Sequence, residues 1–280
     1  MKRSQIGVVK VLFRYPVKSM LGEQLPEVDI GSMGVIGDRA YALREANGRV
    51  VTAKKWAQMF EFSARYDAPP SSTELTPPSI TLPDGRRIQA QAPDASAVLS
   101  AVLGRQVVLE RAQGDQRNQA EIDPGTVFGD VPPEQAAPNF ATPLPDSFPL
   151  PPGTFFDSAS IHVLASGTLV HLRKLIGDDA QIDPRRFRPN IFIETEPGQE
   201  GFLEDSWLEG TLAVGDQARI AQLRPALRCV MTTHRQADLN RDMRILRTTA
   251  QHHQNNVGVF GAIDAPGKVR IGDPVFLVTP

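Results

Sequence analysis

The arrangement of hydrophobic and polar residues along the 280-residue chain predicts many short β-strands and few helices. Most apolar runs span roughly four to eight residues and are rich in β-branched side chains, a pattern typical of strands. The predicted strands cover residues 6–13, 41–45, 60–66, 80–82, 87–90, 106–110, 161–164, 191–194, 212–216, 218–223, 257–260, 269–271 and 275–278. The pattern therefore predicts an α+β protein dominated by mixed β-sheet and barrel-like elements.

Helices are predicted over three segments. Residues 93–103 begin with a Pro-Asp pair and end before a glycine, which are the start and stop signals of a helix. Ser166 is the predicted N-cap of a second helix over residues 167–176, where leucines recur at helical spacing. A third, short helix is predicted over residues 238–247.

Two tight turns are predicted from their turn residues. Asn47-Gly48 indicates a hairpin, because both central residues of a type I′ turn need positive φ. This turn is expected to join the strand at 41–45 to a return strand at 49–53. Pro83-Asp84-Gly85 predicts a second hairpin between the strands on either side of it.

The hydrophobic periodicity stops between residues 113 and 153. Nine prolines fall from Pro124 to Pro152, and such a composition favours neither a ladder nor a helix. We therefore predict a linker or long loop at 113–153 between an N-terminal β-rich domain at 1–112 and a second domain at 154–280. The residues alone leave open whether this segment covers the functional site.

Composition narrows the class of protein. The chain has 30 Lys and Arg residues against 32 Asp and Glu, a net charge of −2, so no basic excess points to a nucleic-acid backbone or an anionic membrane. No apolar stretch reaches membrane-spanning length. The single cysteine excludes an intrachain disulfide and fits a reducing compartment, and the simplest expectation is a cytoplasmic protein.

The only cysteine, Cys229, is the first candidate for chemistry. It stands directly after Arg228, and a neighbouring cation favours the thiolate, which binds soft metals or attacks electrophiles. On this residue alone, a buried and inert thiol is the alternative. A zinc site would need several histidines beside it, and a cysteine hydrolase a paired histidine with an orienting group. The five histidines show no spacing typical of either.

Basic and hydroxyl residues recur where predicted strands end. Arg185, Arg186 and Arg188 precede the strand at 191–194, a density that suggests an anion-binding rim. The other members of this set are Lys18, Ser19, Arg39, Ser158 and Asn190. If these residues converge with Cys229, they form a pocket for a phosphate-bearing heterocycle, with one thiolate free to bind a soft metal.

Seven short motifs occur in an order and spacing that resemble a known family. They are Tyr15-Pro16-Val17-Lys18-Ser19, Gly37-Asp38-Arg39, Val51-Thr52-Ala53, Phe187-Arg188-Pro189-Asn190-Ile191, Glu204-Asp205-Ser206-Trp207, Arg228-Cys229-Val230-Met231-Thr232-Thr233 and Gly272-Asp273-Pro274-Val275. The chain resembles the MOSC proteins, and within them the subgroup of the mitochondrial amidoxime-reducing component and its bacterial counterparts. The resemblance implies an N-terminal MOSC-type β domain followed by the MOSC domain, with the site in a cleft between the two regions.

The resemblance also implies a molybdenum cofactor (Mo-molybdopterin). The family's metal-binding cysteine falls on Cys229, which would be the protein ligand to molybdenum. The family's contacts to the pterin and its phosphate fall on Lys18, Ser19, Arg39, Asp157, Ser158, Arg188, Asn190 and Arg228. This set agrees with the chemistry of the residues, because phosphate prefers guanidinium and lysine donors and a thiolate suits a redox metal.

The implied activity is the reduction of N-hydroxylated compounds, such as amidoximes, hydroxylamines and N-hydroxylated bases. One cysteine cannot ligate a cluster that needs four, so electrons are expected from a separate redox protein. A carrier that binds the cofactor, or sulfur on Cys229 as a persulfide, is the alternative. Pyridoxal phosphate binding, a term attached to the family, is a further expectation. Two departures concern the substrate pocket: residues 54–58 lack the Gln and Pro pattern of the relatives, and Phe260 stands where they carry tyrosine.

Overall fold

The computed structural model of the protein describes residues 2–138 and 144–280. Its strands, in chain order, are β1 (Lys2–Arg14), β2 (Glu23–Leu25), β3 (Glu27–Gly31), β4 (Gly34–Val35), β5 (Tyr41–Glu45), β6 (Ser63–Arg65), β7 (Ser79–Thr81), β8 (Arg87–Gln89), β9 (Val107–Arg111), β10 (Gln119–Glu121), β11 (Ser147–Pro149), β12 (Ile161–Ala165), β13 (Ile191–Glu194), β14 (Thr211–Val214), β15 (Ala218–Leu227), β16 (Asn256–Ala265), β17 (Gly267–Arg270) and β18 (Pro274–Thr279). The α-helices are α1 (Ala95–Leu103), α2 (Pro133–Ala136), α3 (Ser166–Ile176) and α4 (Arg244–His253). Short 3-10 helices cover Ala57–Glu61, Pro184–Arg186, Leu203–Trp207 and Val230–Thr233. The predicted α+β class, with β-structure predominant, is confirmed.

Seven strands close into a barrel. Their order is β13–β12–β16–β15–β14–β18–β1, and β1 pairs with β13 to complete the ring. Neighbours run antiparallel except β12 and β13, which are parallel because α3 carries the chain back between them. The strand predicted at 6–13 is β1, which starts earlier, at Lys2. It comes from the start of the chain, whereas the other six strands of the barrel lie within residues 161–279.

One face of these strands forms the main hydrophobic core. Residues two apart, such as Ile191 and Ile193 on β13, are inaccessible to solvent and belong to the same cluster, because side chains alternate between the faces of a strand. On β1 the inward positions are Val9 and Leu12, three apart. A register shift in the β1–β13 ladder lies between Val9 and Val11 and accounts for that change of spacing.

Smaller sheets from the N-terminal half surround a second core. Strand β5 pairs with β9, and β6, β7 and β8 form a three-stranded sheet. Leu43, Phe62 and Ile80 pack there with Leu99 of α1. Met231, two residues after the cysteine, belongs to the same cluster. The C-terminal segment that carries the cysteine is therefore held against the N-terminal half.

The return strand predicted at 49–53 is reduced to a short pairing. The Asn-Gly turn forms, Val50 bridges Arg44 antiparallel, and the N–H of Val51 donates to the carbonyl of Leu43 at 2.8 Å. The other edge of β5 pairs along its whole length with β9, from Tyr41 opposite Arg111 to Glu45 opposite Val107. The local turn signal was correct, and the long partner of β5 is a strand that lies far along the chain.

Two details of the predicted helices also need correction. The third helix runs over Arg244–His253 and not over 238–247, because Asp242 accepts the backbone N–H of Arg244 at 3.0 Å and caps the later start. Ser166 lies inside α3, where the N-cap is Ala165, and its hydroxyl instead accepts the N–H of Thr195 at 3.0 Å. The helix predicted at 93–103 is confirmed as α1.

The proline-rich segment contains more structure than its composition indicates. Strands β10 and β11 pair within it, and α2 lies between them. Its backbone is tied to the N-terminal half, since Val50 donates to the carbonyl of Gln119 at 2.8 Å. Residues 119–121 precede the first proline of the segment at 124, so their N–H groups are free for a ladder. Residues 139–143 lie outside the described part of the chain.

Among the described residues, no helix has both the length and the apolar character needed to cross a membrane.

Candidate functional site

A cavity of about 270 Å³ lies between the loops of the N-terminal half and one end of the barrel. All nine residues singled out from the sequence line it: Lys18, Ser19, Arg39, Asp157, Ser158, Arg188, Asn190, Arg228 and Cys229. They come from five separate stretches of chain, which the closure of β1 into the barrel brings together. The predicted cleft between the N-terminal and C-terminal regions is therefore present.

Lys18 and Ser19 lie in the loop that follows β1, just after Pro16. The backbone N–H of Lys18 donates to the carbonyl of Tyr41 at 2.8 Å, and the Ser19 hydroxyl accepts the N–H of Ala53 at 3.0 Å. These bonds fix the loop against β5 and the segment that follows it. The Lys18 ammonium donates to the carbonyl of Phe155 at 2.8 Å and points at the strand-like stretch before β12.

A carboxylate between two lysines forms one side of the cavity. Asp157 pairs with Lys18, and Lys54 reaches the other carboxylate oxygen at 2.7 Å. Burial lowers the pKa of Lys18 to about 8, although Asp157 opposes the shift. Burial by itself raises the pKa of Asp157, but the two lysine charges outweigh it and hold that pKa well below its usual range. Asp157 is thus ionised at neutral pH.

Two arginines stack on the ring of Tyr15. The guanidinium carbon of Arg188 lies 4.1 Å and that of Arg39 lies 4.6 Å from the ring centroid. Asp38 pairs with Arg39 and also accepts the backbone N–H of Tyr15 at 2.7 Å. Burial lowers the pKa of Arg188 to about 10, with the charge of Arg39 adding to the shift. Arg188 nevertheless keeps its charge at neutral pH.

Three of the site residues have left-handed backbones. The φ angles are +68° at Ser19, +47° at Arg39 and +56° at Arg188. In this region a side chain with a Cβ costs roughly 1–2 kcal/mol per residue. Strain of this kind collects at functional sites, where the surrounding contacts hold the residue in place. Here the bend turns each side chain away from the strand direction and into the cavity lining.

Arg228 is a buried cation without enough partners. Its Nη2 donates to the carbonyl of Phe187 at 3.0 Å, but its Nε and Nη1 meet no acceptor in residues 2–138 and 144–280. Burial lowers the pKa of Arg228 to about 10, and the neighbouring Cys229 sulfur opposes that shift. A buried, underpaired cation is costly unless a negative charge lies near it. Arg228 therefore favours an anion in the cavity.

Cys229 is partly exposed and lines the same cavity. It precedes the 3-10 helix Val230–Thr233, and its carbonyl accepts the N–H of Thr232 at 3.1 Å. The histidine that lines the cavity, His162, has its Nε2 3.2 Å from the carbonyl of Val257. Burial lowers the pKa of His162 well below its ordinary value, so the ring is neutral. This position does not favour the cysteine–histidine pair of a hydrolase.

The remaining two site residues, Asn190 and Ser158, differ in how the protein holds them. Asn190 is fully buried, and its amide is committed to protein groups: it donates to Asp38 at 3.0 Å and accepts the N–H of His162 at 3.2 Å. Ser158 accepts a hydrogen bond from Arg224 through its carbonyl. Asn190 thus braces the loop that carries Arg188, whereas the hydroxyl of Ser158 makes no hydrogen bond within the described chain.

The three arginines of the expected rim are placed differently. Arg185 does not line the cavity and pairs with Asp183 at 2.9 Å and with Asp238 at 2.7 Å. Arg186 lines the cavity and is 1% exposed, but its hydrogen bonds go to backbone carbonyls, among them that of Gln181 at 2.8 Å. Arg188 also lines the cavity. Three neighbouring arginines cannot all face one way from a 3-10 turn, since successive side chains point to different sides.

The sequence analysis missed two parts of the lining. The first is Lys54, which directly follows the Val51-Thr52-Ala53 motif. Its place next to a recognised motif could have identified it as a lining residue. The second part is an apolar wall opposite the cations, built largely from the proline-rich segment: Ile122, Val127, Phe128, Leu144, Pro145 and Phe148. The many prolines of this segment hide any alternation of apolar and polar residues, so the sequence did not indicate that it lines the cavity.

The described residues contain no group of three or more His, Cys, Asp and Glu side chains that could hold a metal ion by themselves. Cys229 is the one thiol that the described lining offers. A metal held here would take a single ligand from the protein and its other ligands from a cofactor. The cations around Cys229 fit a cofactor that carries a phosphate.

Comparison with known proteins identifies the two halves of the chain. The model of the MOSC N-terminal beta barrel domain matches residues 6–121, and that of the MOSC domain matches residues 151–276. Mitochondrial amidoxime-reducing component 1 of Mus musculus is 24% identical over 312 residues, covering 98% of this chain and 83% of its own. The human protein of that name is 23% identical, with 98% and 84% covered. Mitochondrial amidoxime reducing component 2 of Rattus norvegicus is 24% identical, with 97% and 83% covered.

Among solved structures, the crystal structure of the YUAD protein from Bacillus subtilis aligns with a TM-score of 0.49 and 11% identity, covering 100% of this chain and 98% of its own. None of these names mentions pyridoxal phosphate, so that expectation gains no support, and the cytoplasmic location stays a prediction. With both family models matched in order along the chain, the protein is a member of the MOSC family that carries the MOSC N-terminal β-barrel domain.

Proposed function

We propose that this protein is an oxidoreductase that uses a molybdenum cofactor to reduce N-hydroxylated compounds, with electrons from a separate redox protein. One observation carries the proposal: several cationic side chains and the only cysteine line a single cavity, and one of those cations, Arg228, lacks partners for two donors within the described chain. The names of the relatives support the same activity, since they are amidoxime-reducing components.

The residues of the cavity fit the cofactor. Arg39, Arg188, Arg228 and Lys18 supply positive charge for its phosphate, and the hydroxyls of Ser19 and Ser158 suit the donors and acceptors of a pterin. Cys229 supplies the thiolate that a soft redox metal prefers. When bound, the cofactor supplies a molybdenum centre that exchanges two electrons.

The protein's own part in the reaction is binding and positioning. The substrate's N–O bond breaks, two electrons and two protons are taken up, and the oxygen leaves as water. Arg228 lies beside Cys229 and presents its charge to the cavity, whereas the stacked pair of Arg39 and Arg188 fixes the orientation of the anion. The apolar wall on the other side limits the water that reaches the reacting atoms.

Cofactor content and turnover test the proposal together. Protein purified from a host that makes the cofactor should contain molybdenum and fluorescent pterin in equal amounts, and should reduce benzamidoxime with an artificial electron donor. Replacing Cys229 with serine should abolish reduction and leave most of the pterin bound, because the cations that hold it are unchanged. Val170→Ser, on the exposed face of α3, is the matched control and should behave as the parent.

Two results would contradict this function. Full reductase activity in the Cys229→Ser protein would remove the ligand role of the cysteine. Cofactor-loaded protein that reduces no N-hydroxylated compound with any donor would remove the enzyme assignment.

A carrier function is favoured by one observation, namely that Cys229 is both the only cysteine and partly exposed. A carrier would hold sulfur as a persulfide on Cys229 and pass it to another protein. Intact-mass measurement after exposure to a sulfur donor distinguishes the two functions. Persulfide formation without turnover indicates the carrier, and turnover without persulfide indicates the reductase.

A further inference from the structure

The cavity has two chemically different sides. The side described above carries the cations and Asp157. The other side consists of the apolar wall, whose residues between 122 and 148 include no ionisable or amide side chain among the described lining residues. The phosphate of a cofactor does not favour such a surface, because burying a charge against hydrocarbon costs free energy. The apolar wall therefore suits an uncharged, apolar group.

The apolar wall is fixed to the body of the protein close to the cysteine. The backbone N–H of Val230, the residue after Cys229, donates to the carbonyl of Val127 at 2.8 Å. The N–H of Ile122 donates to the carbonyl of Asp146 at 2.9 Å, which joins the two ends of the segment. The wall thus has a defined distance from the sulfur.

Lys54 connects the two sides. Its ammonium lies 4.1 Å from the centroid of the Phe148 ring and also pairs with Asp157 at 2.7 Å. One residue therefore orients an aromatic ring of the apolar wall and a carboxylate of the charged side. Phe148 and Leu144 are only partly buried by the protein, so apolar surface remains for a ligand to cover.

Cys229 lies where the two sides meet. Its side chain packs against the cluster that contains Ile122, Val127 and Phe128, and also against the N-terminal core. A substrate that reacts at a metal on this sulfur would place its N–O group at the junction. The part of the substrate attached to that group would then extend along the apolar wall.

We propose that the apolar wall, formed by the lining residues between Ile122 and Phe148, binds the carbon skeleton of the substrate. The preferred substrates are accordingly N-hydroxylated compounds that carry an aromatic or other bulky apolar group. This inference rests on the proposed function, since it specifies the substrates of the same site.

A matched pair of ligands tests it. Benzamidoxime and acetamidoxime present the same reacting group on a phenyl and on a methyl group. Their binding is measured by calorimetry on cofactor-loaded protein without an electron donor, so that no turnover occurs. The parent should bind benzamidoxime at least about tenfold more tightly than acetamidoxime, the discrimination that an apolar pocket achieves.

Phe148→Ser and Leu144→Ser should each reduce this binding ratio by about tenfold. Phe148→Leu, which keeps an apolar side chain, should retain most of it, and Val170→Ser on the surface of α3 should retain all of it. The ratio of kcat/KM for the two amidoximes should change in parallel. Molybdenum content and thermal unfolding confirm that each variant is loaded and folded.

An unchanged ratio in both serine variants would overturn the inference, as would a parent protein that binds the two amidoximes equally. A loss of molybdenum in the serine variants would assign the wall to the cofactor instead. Failure of the proposed function looks different: neither amidoxime is then reduced, while the binding ratio without donor can still be measured.

Discussion

The barrel and the loops that line the cavity differ in how favourable the interactions of their residues are. In the barrel, ladders pair neighbouring strands around the ring, and inward residues such as Leu212 and Ile220 are fully buried in one apolar cluster. In the loops, Ser19, Arg39 and Arg188 have positive φ, and buried cations lie near one another. The comparison teaches that the barrel stabilises the fold, while the loops hold unfavourable interactions that a bound anion relieves.

Arg228→Met should produce the largest effect on the cavity side of this comparison. The guanidinium is buried with two donors unpaired within the described chain, so its removal should weaken cofactor binding by about 100-fold or more. The cofactor-free protein should be as stable as the parent or more stable, because a costly buried charge is gone. Molybdenum and pterin per chain after gel filtration, and urea unfolding of the cofactor-free form, give the two readings.

Arg270→Met is the control for that variant, since Arg270 pairs with Glu27 on the surface. It should change neither quantity by a measurable amount. A cofactor-free Arg228→Met protein that loses several kcal/mol of stability would show that Arg228 supports the fold, contrary to the comparison.

Leu212→Ala tests the barrel side. Leu212 is 0% exposed in the main core, and its truncation should lower the free energy of unfolding by about 2–5 kcal/mol. Cofactor content per folded molecule should remain that of the parent, because the lining loops are untouched. Val170→Ala, at an exposed position of α3, should shift stability by less than about 0.5 kcal/mol. A cofactor loss in Leu212→Ala that exceeds its loss of folded protein would contradict the separation.

Glu204 is an exception to this contrast, because it is a buried ionisable residue in the barrel region. Its carboxyl accepts the N–H of Ala165 at 2.7 Å, and burial raises its pKa to about 7. The folded state therefore binds this proton more tightly than the unfolded state. The stabilising effect is full below pH 4.5 and is lost as the pH rises to about 7, at a cost of about 3 kcal/mol.

Glu204→Gln should remove this dependence, since an amide oxygen can still accept from Ala165 without titrating. Urea unfolding between pH 4.5 and pH 8 should show the parent losing about 3 kcal/mol relative to the variant. Parallel curves for the two proteins would mean that Glu204 titrates in the fold as it does in the unfolded chain.

The strands and α1 could be predicted because their signals are local. A short run of apolar residues marks β13, and the Pro-Asp start with a glycine stop marks α1. The pairing of the strands could not be predicted in the same way. A turn at residues 47 and 48 says nothing about β9, which pairs with the other edge of β5. The closing pair of β1 and β13 likewise depends on the whole ring and on no single segment.

The cavity was predictable in its residues and not in its shape. Short motifs identified Lys18, Arg39, Arg188, Arg228 and Cys229, and all of them line it, whereas Lys54 was missed. The apolar wall was missed because prolines obscure periodicity, and the committed amide of Asn190 was missed because its partners lie far along the chain. Positive φ at Arg39 was also invisible, since no glycine or asparagine marks the position.

Arg39 offers the smallest and most specific test of strain in the loops. Its φ of +47° is easily adopted by glycine and is costly for alanine. We expect Arg39→Gly to be more stable than Arg39→Ala by about 1 kcal/mol in urea unfolding. Both variants lack the same guanidinium, so they should lose cofactor equally, and the difference between them reports the backbone alone. At Arg247, exposed within α4, the order should reverse, because alanine favours a helix over glycine by about 1 kcal/mol. Alanine more stable than glycine at both positions would show that the loop at Arg39 stores no strain, and the contrast with the barrel would then rest on charge alone.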